Sequence, residues 1–172
     1  MAEFEPALRK RLEELWGAPP NLYRGLGNHP ALAAAWTEFS KTLRYDTRTP
    51  RALRELVILR GAQVVRSEYE WAQHLRMARK AGVTEEQIAA LGSSRSSSAF
   101  SEKEKAALSL AEAVTRGSVS DELQAEVLRH FDMHDYVELC IVAAFYAMVA
   151  RMLDAMGIQL EPDATSYSPK LS

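Results

Sequence analysis

The residues best suited to chemistry lie in the stretch RSEYEWAQHLRMARKA, residues 66–81. Glu70 and His74 are four residues apart there, and side chains at that spacing are neighbours on a helix. A nearby carboxylate favours the charged imidazole whereas burial disfavours it, and the balance can leave a group that exchanges protons near neutral pH. The pair is therefore a candidate acid/base site, although a purely structural His–Glu hydrogen bond is the commoner use of this spacing.

A second carboxylate, Glu55, occurs in TPRALRELVILRGAQVV, residues 49–65. It falls on the same helix face as Ile58 and Ala62, so the side chain should point along an apolar surface. An ion pair with Arg51, one turn earlier at the edge of the core, is the simpler explanation for a glutamate in that position.

The remaining histidines and the single cysteine are weaker candidates. His130 and His134 are four residues apart but lie on either side of Asp132, a typical capping residue, so we do not expect them to share one helix face. His29 precedes a proline and is expected at a helix start. Cys140 lies in the most apolar segment, where an inert buried thiol is expected. None of these is assigned a role.

Neither a metal nor a cofactor is expected from these residues. A di-iron carboxylate site requires Glu-x-x-His on each of two helices, whereas this chain contains Glu-x-x-x-His once. Because Cys140 is the only cysteine, the sequence excludes an internal disulfide, a CxxC couple and a cysteine-rich zinc site.

The elements that must position these groups are predicted to be helices throughout. Apolar residues recur every three or four positions without the alternation that is typical of strands, so the fold class is all-α. The predicted helices are 5–16, 30–45, 50–65, 67–82, 84–91, 101–116, 120–130 and 134–156.

Three helix starts carry recognisable signals. Pro50 is predicted to be a first helical residue behind the capping hydroxyl of a threonine. Thr84 precedes Gln87 by three residues, and Ser101 precedes Glu104 by three, which is the capping-box spacing.

The length of 172 residues predicts one helical domain over residues 1–160, followed by a flexible tail at 161–172. Residues 92–98, GSSRSSS, are expected to be a flexible connector between helices. The composition, 47% hydrophobic and 26% charged, is that of a globular protein.

The charge pattern restricts the partners. A formal charge of −2 with scattered basic residues argues against nucleic acid. The N-terminal segment lacks the character of a signal peptide and no apolar run approaches the length of a membrane span, so a cytoplasmic protein without membrane contact is expected. The apolar segment 134–156 and the aromatic residues of 16–39 exceed what one small core needs, which predicts a homo-oligomer.

Three segments resemble the carboxymuconolactone decarboxylase and alkylhydroperoxidase D superfamily. They are PPNLYRGLGNHPALAAAW at 19–36, RALRELVILRGAQVVRSEYEWAQHLRMARKAGVTEEQIAAL at 51–91 and FYAMVARMLDAMGI at 145–158. The resemblance covers most of the chain, and the middle segment is its specific part. It implies the all-helical fold of alkylhydroperoxidase D and assembly as a dimer, trimer or hexamer.

The peroxidase branch of that superfamily has a glutamate on one helix and Cys-x-x-Cys-x-x-x-His on the next, with a relay histidine between the cysteines. By this resemblance Glu55 matches the glutamate and His74 the last histidine. Ser67 and Glu70 stand where the cysteines should be, and Tyr69 stands at the relay position. A serine and a carboxylate cannot cycle through sulfenic acid and disulfide, so peroxidase chemistry by the family mechanism is excluded.

The decarboxylase branch, as the resemblance implies, also lacks the cysteine pair and keeps Glu-x-x-x-His. The leading hypothesis is a cofactor-free enzyme that moves protons on a small lactone or ring oxo-acid, in decarboxylation, isomerisation or hydrolysis. Glu70 and His74 would be the acid/base pair, Glu55 would orient His74 or relay protons, and Tyr69 and Ser67 would line the substrate pocket.

Two further interpretations belong to this hypothesis. Arg60 is a possible anchor for a substrate anion, although an exposed helix arginine is the commoner case. The alternative function is a non-catalytic oligomer that keeps the glutamates and the histidine as a buried polar network, with a peroxiredoxin-like family label but no activity.

The lack of a cysteine pair leads to a direct test. We expect no thiol-dependent peroxide turnover above the uncatalysed rate, because Cys140 is the only thiol. A coupled assay with peroxide and a dithiol donor measures this, with the Cys140→Ser variant as the matched control. Turnover that is present in the native chain and lost in Cys140→Ser would contradict the assignment.

Overall fold

The computed structural model describes residues 19–162 together with Pro6, Arg9, Lys10 and Glu13. In this part of the chain there are eight α-helices, one 3-10 turn at Leu91–Ser93 and no strand, so the all-α prediction is confirmed. The helices are α1 Asn21–Leu26, α2 Pro30–Tyr45, α3 Arg51–Val65, α4 Glu68–Lys80, α5 Glu85–Ala90, α6 Glu102–Arg116, α7 Asp121–Leu128 and α8 Met133–Ala155.

Seven of the predicted helices are confirmed with ends that differ by at most two residues from the observed ones, namely α2 to α8. The predicted helix at 5–16 lies outside the described residues except for isolated positions. Helix α1 was not predicted: it has only six residues, and its start at Pro20 has no side-chain cap that a sequence pattern would show.

The capping predictions are confirmed in two cases and wrong in the third. Both capping boxes are complete, at the starts of α5 and α6. At α3, however, Pro50 is the N-cap residue itself and no side chain caps the helix. The Thr49 hydroxyl donates instead to the carboxylate of Glu138 on α8, because both groups are buried and need each other as partners.

A link of two residues joins α3 to α4. Arg66 has the left-handed conformation, with φ 56°, and the amide of Ser67 donates to the carbonyl of Ala62 over 2.9 Å, the bonding pattern of a Schellman helix end. The Ser67 hydroxyl then accepts from the amide of Glu70 over 3.3 Å and caps α4. The short link brings α3 and α4 together, and the two helices pack closely.

The described residues form two compact units. Residues 48–151 form the larger one, whose core is an apolar cluster drawn mainly from α3, α4, α5 and α6. Its most buried large side chains include Leu56, Leu59, Trp71, Leu91 and Leu108. In the smaller unit, formed by residues 19–47 and 152–162, the core is a cluster around Tyr23, Leu26 and Ala33, with Trp36 and Met152 packed against it. The prediction of a single domain over 1–160 with a tail at 161–172 stays a prediction.

The connector at 92–98 is more structured than expected. Its first two residues belong to the 3-10 turn, which begins at the fully buried Leu91. Ser94 is buried as well, so the polar composition did not indicate a loose link along its whole length.

Helix α8 also corrects an expectation. The sequence analysis expected no apolar run as long as a membrane span. By length and composition alone, however, α8 could cross a membrane. Half of its most apolar window is buried inside the protein, and a core helix passes the same test. The absence of membrane contact stays a prediction.

One backbone position gives a prediction for stability. Gly117 ends α6 with φ 87°, and nothing lies within 4 Å of the place where a Cβ would be. Gly117→Ala should therefore lower the free energy of unfolding by about 1 kcal/mol through backbone conformation alone, which corresponds to a melting temperature lower by roughly 2–4 °C. Denaturant titration measures it.

Gly92→Ala is the matched control. Gly92 also has open space at its Cβ position but lacks a positive φ, so the alanine should leave stability unchanged or slightly higher. Equal losses in the two variants would contradict the backbone explanation.

Candidate active site

The site is built on the packed pair α3 and α4. Glu55 lies one turn after Arg51 on α3, and Glu70 lies one turn before His74 on α4. Both carboxylates and the imidazole are buried, with 0% of Glu55 and 3% each of Glu70 and His74 exposed. Three ionisable side chains therefore share one region from which water is largely excluded.

The direct bond in this cluster joins the two helices. His74 Nδ1 lies 2.8 Å from Glu55 Oε2, which is a hydrogen-bond distance. The sequence predicted that Glu55 would either pair with Arg51 or orient His74, and the structure shows both contacts. The Arg51 guanidinium forms an ion pair with the other carboxylate oxygen, Oε1.

The protonation of this pair follows from the electrostatics. Burial on its own raises the pKa of Glu55, but the charges and hydrogen bonds of His74 and Arg51 outweigh it, so the pKa of this carboxyl lies below its usual range. An ionised carboxylate only accepts hydrogen bonds. His74 Nδ1 must therefore carry the proton, which leaves Nε2 as the nitrogen that can take up or release one.

Glu70 faces that second nitrogen without bonding to it. Its Oε2 lies 3.8 Å from His74 Nε2, which is within ion-pair range but too long for a hydrogen bond. The two predicted neighbours are thus close in space. Nε2 and this carboxylate are the two groups through which the cluster can exchange a proton.

Tyr146 on α8 belongs to the cluster and was not predicted. Its ring meets the His74 ring edge to face, with centroids 4.6 Å apart and planes at 81°. Phe145 packs edge to face on Tyr146 in turn, at 5.3 Å. Tyr146 lies in the apolar segment FYAMVARMLDAMGI, where an aromatic residue is expected to belong to the core. No local signal in the sequence therefore indicated its contact with His74.

The predicted pocket residues and the predicted anchor have other contacts. Ser67 is half-buried and caps α4, and Tyr69 is buried. Their role in lining a pocket stays a prediction. Arg60 binds Glu112 on α6 over 2.7 Å and Gln63 over 3.0 Å, so it is a bridge between helices rather than the exposed arginine or the anchor that were considered.

A second buried polar network lies beside the site. The Glu138 carboxylate accepts from the amides of Arg48 and Thr49 over 2.8 and 2.9 Å, and Arg54 Nη1 lies 4.0 Å from it. Burial and the charge of Arg51 lower the pKa of Arg54. This network was not predicted from the sequence. The signal that could have found it is Glu138 itself, a carboxylate within the apolar sequence of α8.

The other candidates are where the sequence suggested, with one difference. His29 caps α2 through Nδ1, and Asp132 caps α8, so His130 and His134 do not share a helix face. Cys140 is half-buried rather than buried, and burial raises the pKa of its thiol, which disfavours the reactive thiolate.

Among the described residues, one group has donor atoms close enough to suggest a cation site, namely Asp132, His134 and Asp135. The group is mostly exposed, and Arg48 already forms ion pairs with both carboxylates, at 2.5 and 2.8 Å. These contacts give it a structural role at the start of α8.

Comparison with known proteins agrees with this architecture. Residues 30–113, which include the whole Glu55–Glu70–His74 cluster, match the model of the "Carboxymuconolactone decarboxylase family". The uncharacterized protein YdfG of Bacillus subtilis is 34% identical over 110 residues, which cover 62% of this chain and 75% of YdfG. The chain belongs to the carboxymuconolactone decarboxylase family.

Solved structures show a likeness of fold over almost the whole chain. A peroxidase-related protein from Silicibacter sp. TM1040 has a TM-score of 0.83 at 15% identity, covering 100% of this chain and 92% of that one. The debrominase Bmp8, in a variant bound to 2,3,4-tribromopyrrole, has a TM-score of 0.79 at 21% identity, covering 91% and 85%. At these identities the likeness concerns the fold.

The lowered pKa of Glu55 predicts how stability depends on pH. A folded-state pKa below the usual value, about 4.5, means that the ionised group stabilises the fold above that pH and that this contribution disappears as the pH falls through the folded pKa. Glu55→Gln removes the contribution and should destabilise the protein by about 3 kcal/mol at pH 7. Urea titrations from pH 7 to pH 3 measure both proteins.

The difference in unfolding free energy between the native protein and Glu55→Gln should shrink as the pH falls below about 4.5. The matched control is Glu85→Gln, because Glu85 is an exposed glutamate paired with Arg79, so that this substitution should change stability little at any pH. A Glu55→Gln difference that stays constant down to pH 3 would contradict the assigned ionisation.

Proposed function

We propose that the protein is a cofactor-free enzyme in which His74 moves protons on a small lactone or ring oxo-acid. The observation that carries this proposal is the arrangement of His74 between two carboxylates, with Nδ1 hydrogen-bonded to Glu55 and Nε2 facing Glu70. Glu55 fixes the ring and its tautomer. Nε2 is then the proton-exchanging atom.

A shift of a double bond is the simplest reaction for this geometry. His74 Nε2 removes a proton from the carbon next to a carbonyl, and a proton returned from His74 or Glu70 enters at a different carbon. The substrate gains and loses one proton, so no electron acceptor is required. In a decarboxylation no proton is removed first: the substrate carboxylate leaves as carbon dioxide, the electron pair of the broken carbon–carbon bond takes one proton from protonated His74, and water restores that proton. The reaction class therefore includes decarboxylation as well as isomerisation.

The proposed substrate is a small ring compound with a carbonyl and an anionic group. Support comes from the decarboxylase name of the family model and from Bmp8, which holds a small planar ring, 2,3,4-tribromopyrrole. Arg51 is the cation beside the site in place of Arg60: 30% of its side chain is exposed, and a guanidinium has five donors, so it can hold Glu55 and also bind an anion.

The second candidate function is the non-catalytic one. It is favoured by the burial of all three ionisable groups and by the direct hydrogen bond between Glu55 and His74, since a bonded polar network persists without a substrate. The two functions differ in what the imidazole is for: it exchanges protons in the first and only bonds to Glu55 in the second. We also propose a cytoplasmic location and a small-molecule partner, without a nucleic-acid or membrane partner.

Replacement of His74 by glutamine separates the two functions. Candidate lactones and ring oxo-acids are first screened for a rise in melting temperature, because a ligand that binds only the native state stabilises it. With a substrate found in this way, His74→Gln should lose about 100- to 10,000-fold in rate. Glutamine can still hydrogen-bond to Glu55, so the variant should melt within a few degrees of the native protein.

The matched control is His134→Gln, an exposed histidine on α8, which should change neither rate nor melting temperature. The non-catalytic function predicts that the native protein turns over none of the screened compounds, so His74→Gln has no activity to lose. A His74→Gln variant that folds and keeps full turnover would end the catalytic assignment.

A further inference from the structure

The three ionisable groups of the site are buried, so any substrate needs a way in. Glu55, Glu70 and His74 are at most 3% exposed. Helices α3 and α4 run in opposite directions from a two-residue link and pack closely, so their side chains meet in successive layers along this hairpin. The whole hairpin belongs to the larger compact unit.

Two contacts between α3 and α4 give the order of these layers. Glu55 bonds to His74, and Arg51 Nη2 lies 3.7 Å from the sulfur of Met77. Arg51 comes one turn before Glu55 on α3, and Met77 comes almost one turn after His74 on α4. The Arg51–Met77 layer therefore lies directly beyond the cluster, at the open end of the hairpin.

The cluster is closed in the other directions by buried side chains. Toward the link, the next layer contains Ile58, Leu59 and Trp71, which are at most 3% exposed. From α8, the buried Tyr146 packs edge to face against the His74 ring. Entry from either side would require the core to separate.

The layer at the open end differs because both of its side chains reach solvent. The Arg51 side chain is 30% exposed, and Met77 is half-buried. Both side chains are long and unbranched, and methionine in particular adapts its shape to what lies beside it. Rotation of these two side chains uncovers the cluster while both helices stay in place.

We propose that Arg51 and Met77 form the entrance to the Glu55–His74 cluster, and that the Met77 side chain sets the size of the ring that reaches His74 Nε2. The ring-size role rests on the proposed function, whereas the position of the entrance does not. A substrate that enters here meets the Arg51 guanidinium with its anionic group and the Met77 thioether with its ring. The substrate class is then a single-ring acid, and fused bicyclic acids are excluded.

Chemical modification of the histidines tests the entrance without a substrate. Diethyl pyrocarbonate carbethoxylates the unprotonated nitrogen of an imidazole, and peptide mass spectrometry gives the rate at each histidine of the folded protein. In the native protein His74 should react much more slowly than His134, whose side chain is 63% exposed and which is the internal reference.

Substitution of Met77 should change the His74 rate in both directions. Met77→Ala removes the thioether arm and keeps the entrance open. A minor open state is typically populated at about 0.1–10%, so His74 should react at least about tenfold faster in this variant. Met77→Phe fills the entrance and should slow the reaction below the native rate. Either variant tests the proposal by itself, should the other fail to fold.

The choice of Met77 separates access from protonation. Met77 carries no charge, so its replacement leaves the charges around Glu55 and His74 as they are, and a change in rate reports access. The matched control is Met133→Ala, which changes a methionine outside the hairpin that is 58% exposed. This control should leave the His74 rate unchanged.

The ring-size role is tested with substrates from the lactone and oxo-acid screen. The measured quantity is kcat/KM for a fused bicyclic acid divided by kcat/KM for a single-ring acid. One methylene group in an apolar pocket changes such a ratio about 10- to 200-fold. Met77→Ala removes more than one such group, so the ratio should rise at least about tenfold.

Three results would overturn the proposal. The first is a native protein in which His74 reacts as fast as His134. The second is a His74 rate that is the same with methionine, alanine and phenylalanine at position 77, or that Met133→Ala raises as much as Met77→Ala does. The third is a ratio of kcat/KM values that Met77→Ala leaves unchanged. If no screened compound is turned over but the modification rates follow the expected order, the proposed function fails and the entrance is supported.

Discussion

The buried carboxylate of Glu55 is the constraint on which the arrangement of α3 and α4 depends. Removing a carboxylate from water costs several kcal/mol unless ionised and hydrogen-bonding partners replace the solvent. Those partners are Arg51 from the same helix and His74 from the next one. The two helices can therefore pack in only a narrow range of registers, and the left-handed Arg66 with the cap at Ser67 provides the matching turn between them.

The same constraint determines which chemistry the site can support. With Glu55 ionised and bonded to Nδ1, Nε2 is the imidazole nitrogen left to exchange a proton, and the group that faces it is a carboxylate. The family resemblance places cysteines at the positions of Ser67 and Glu70. In this chain Ser67 caps the start of α4 and Glu70 is part of the charged cluster, so neither position holds a thiol.

Much of the helical framework could be predicted because local signals mark it. Apolar spacing and capping boxes placed α2 to α8 within two residues, whereas α1 has no capping side chain. The sequence shows neighbours within a helix but not across helices. Helix spacing therefore pointed to Glu70 as the neighbour of His74, whereas the contact between Glu55 and His74 was expected only after the family resemblance, and Thr49 was assigned to a cap although Glu138 binds it.

The position of Tyr146 has a consequence for how this scaffold can change over evolution. Glu55 and His74 are 19 residues apart and belong to one helical hairpin, whereas the ring that packs on the imidazole comes from α8, 72 residues further along the chain. The Glu55–His74 pair and the ring next to it are therefore encoded in separate segments. Substitutions in α8 can reshape what lies against His74 while the hairpin keeps its internal bonds. Under the proposed function, new substrates could arise in this way without rebuilding the pair.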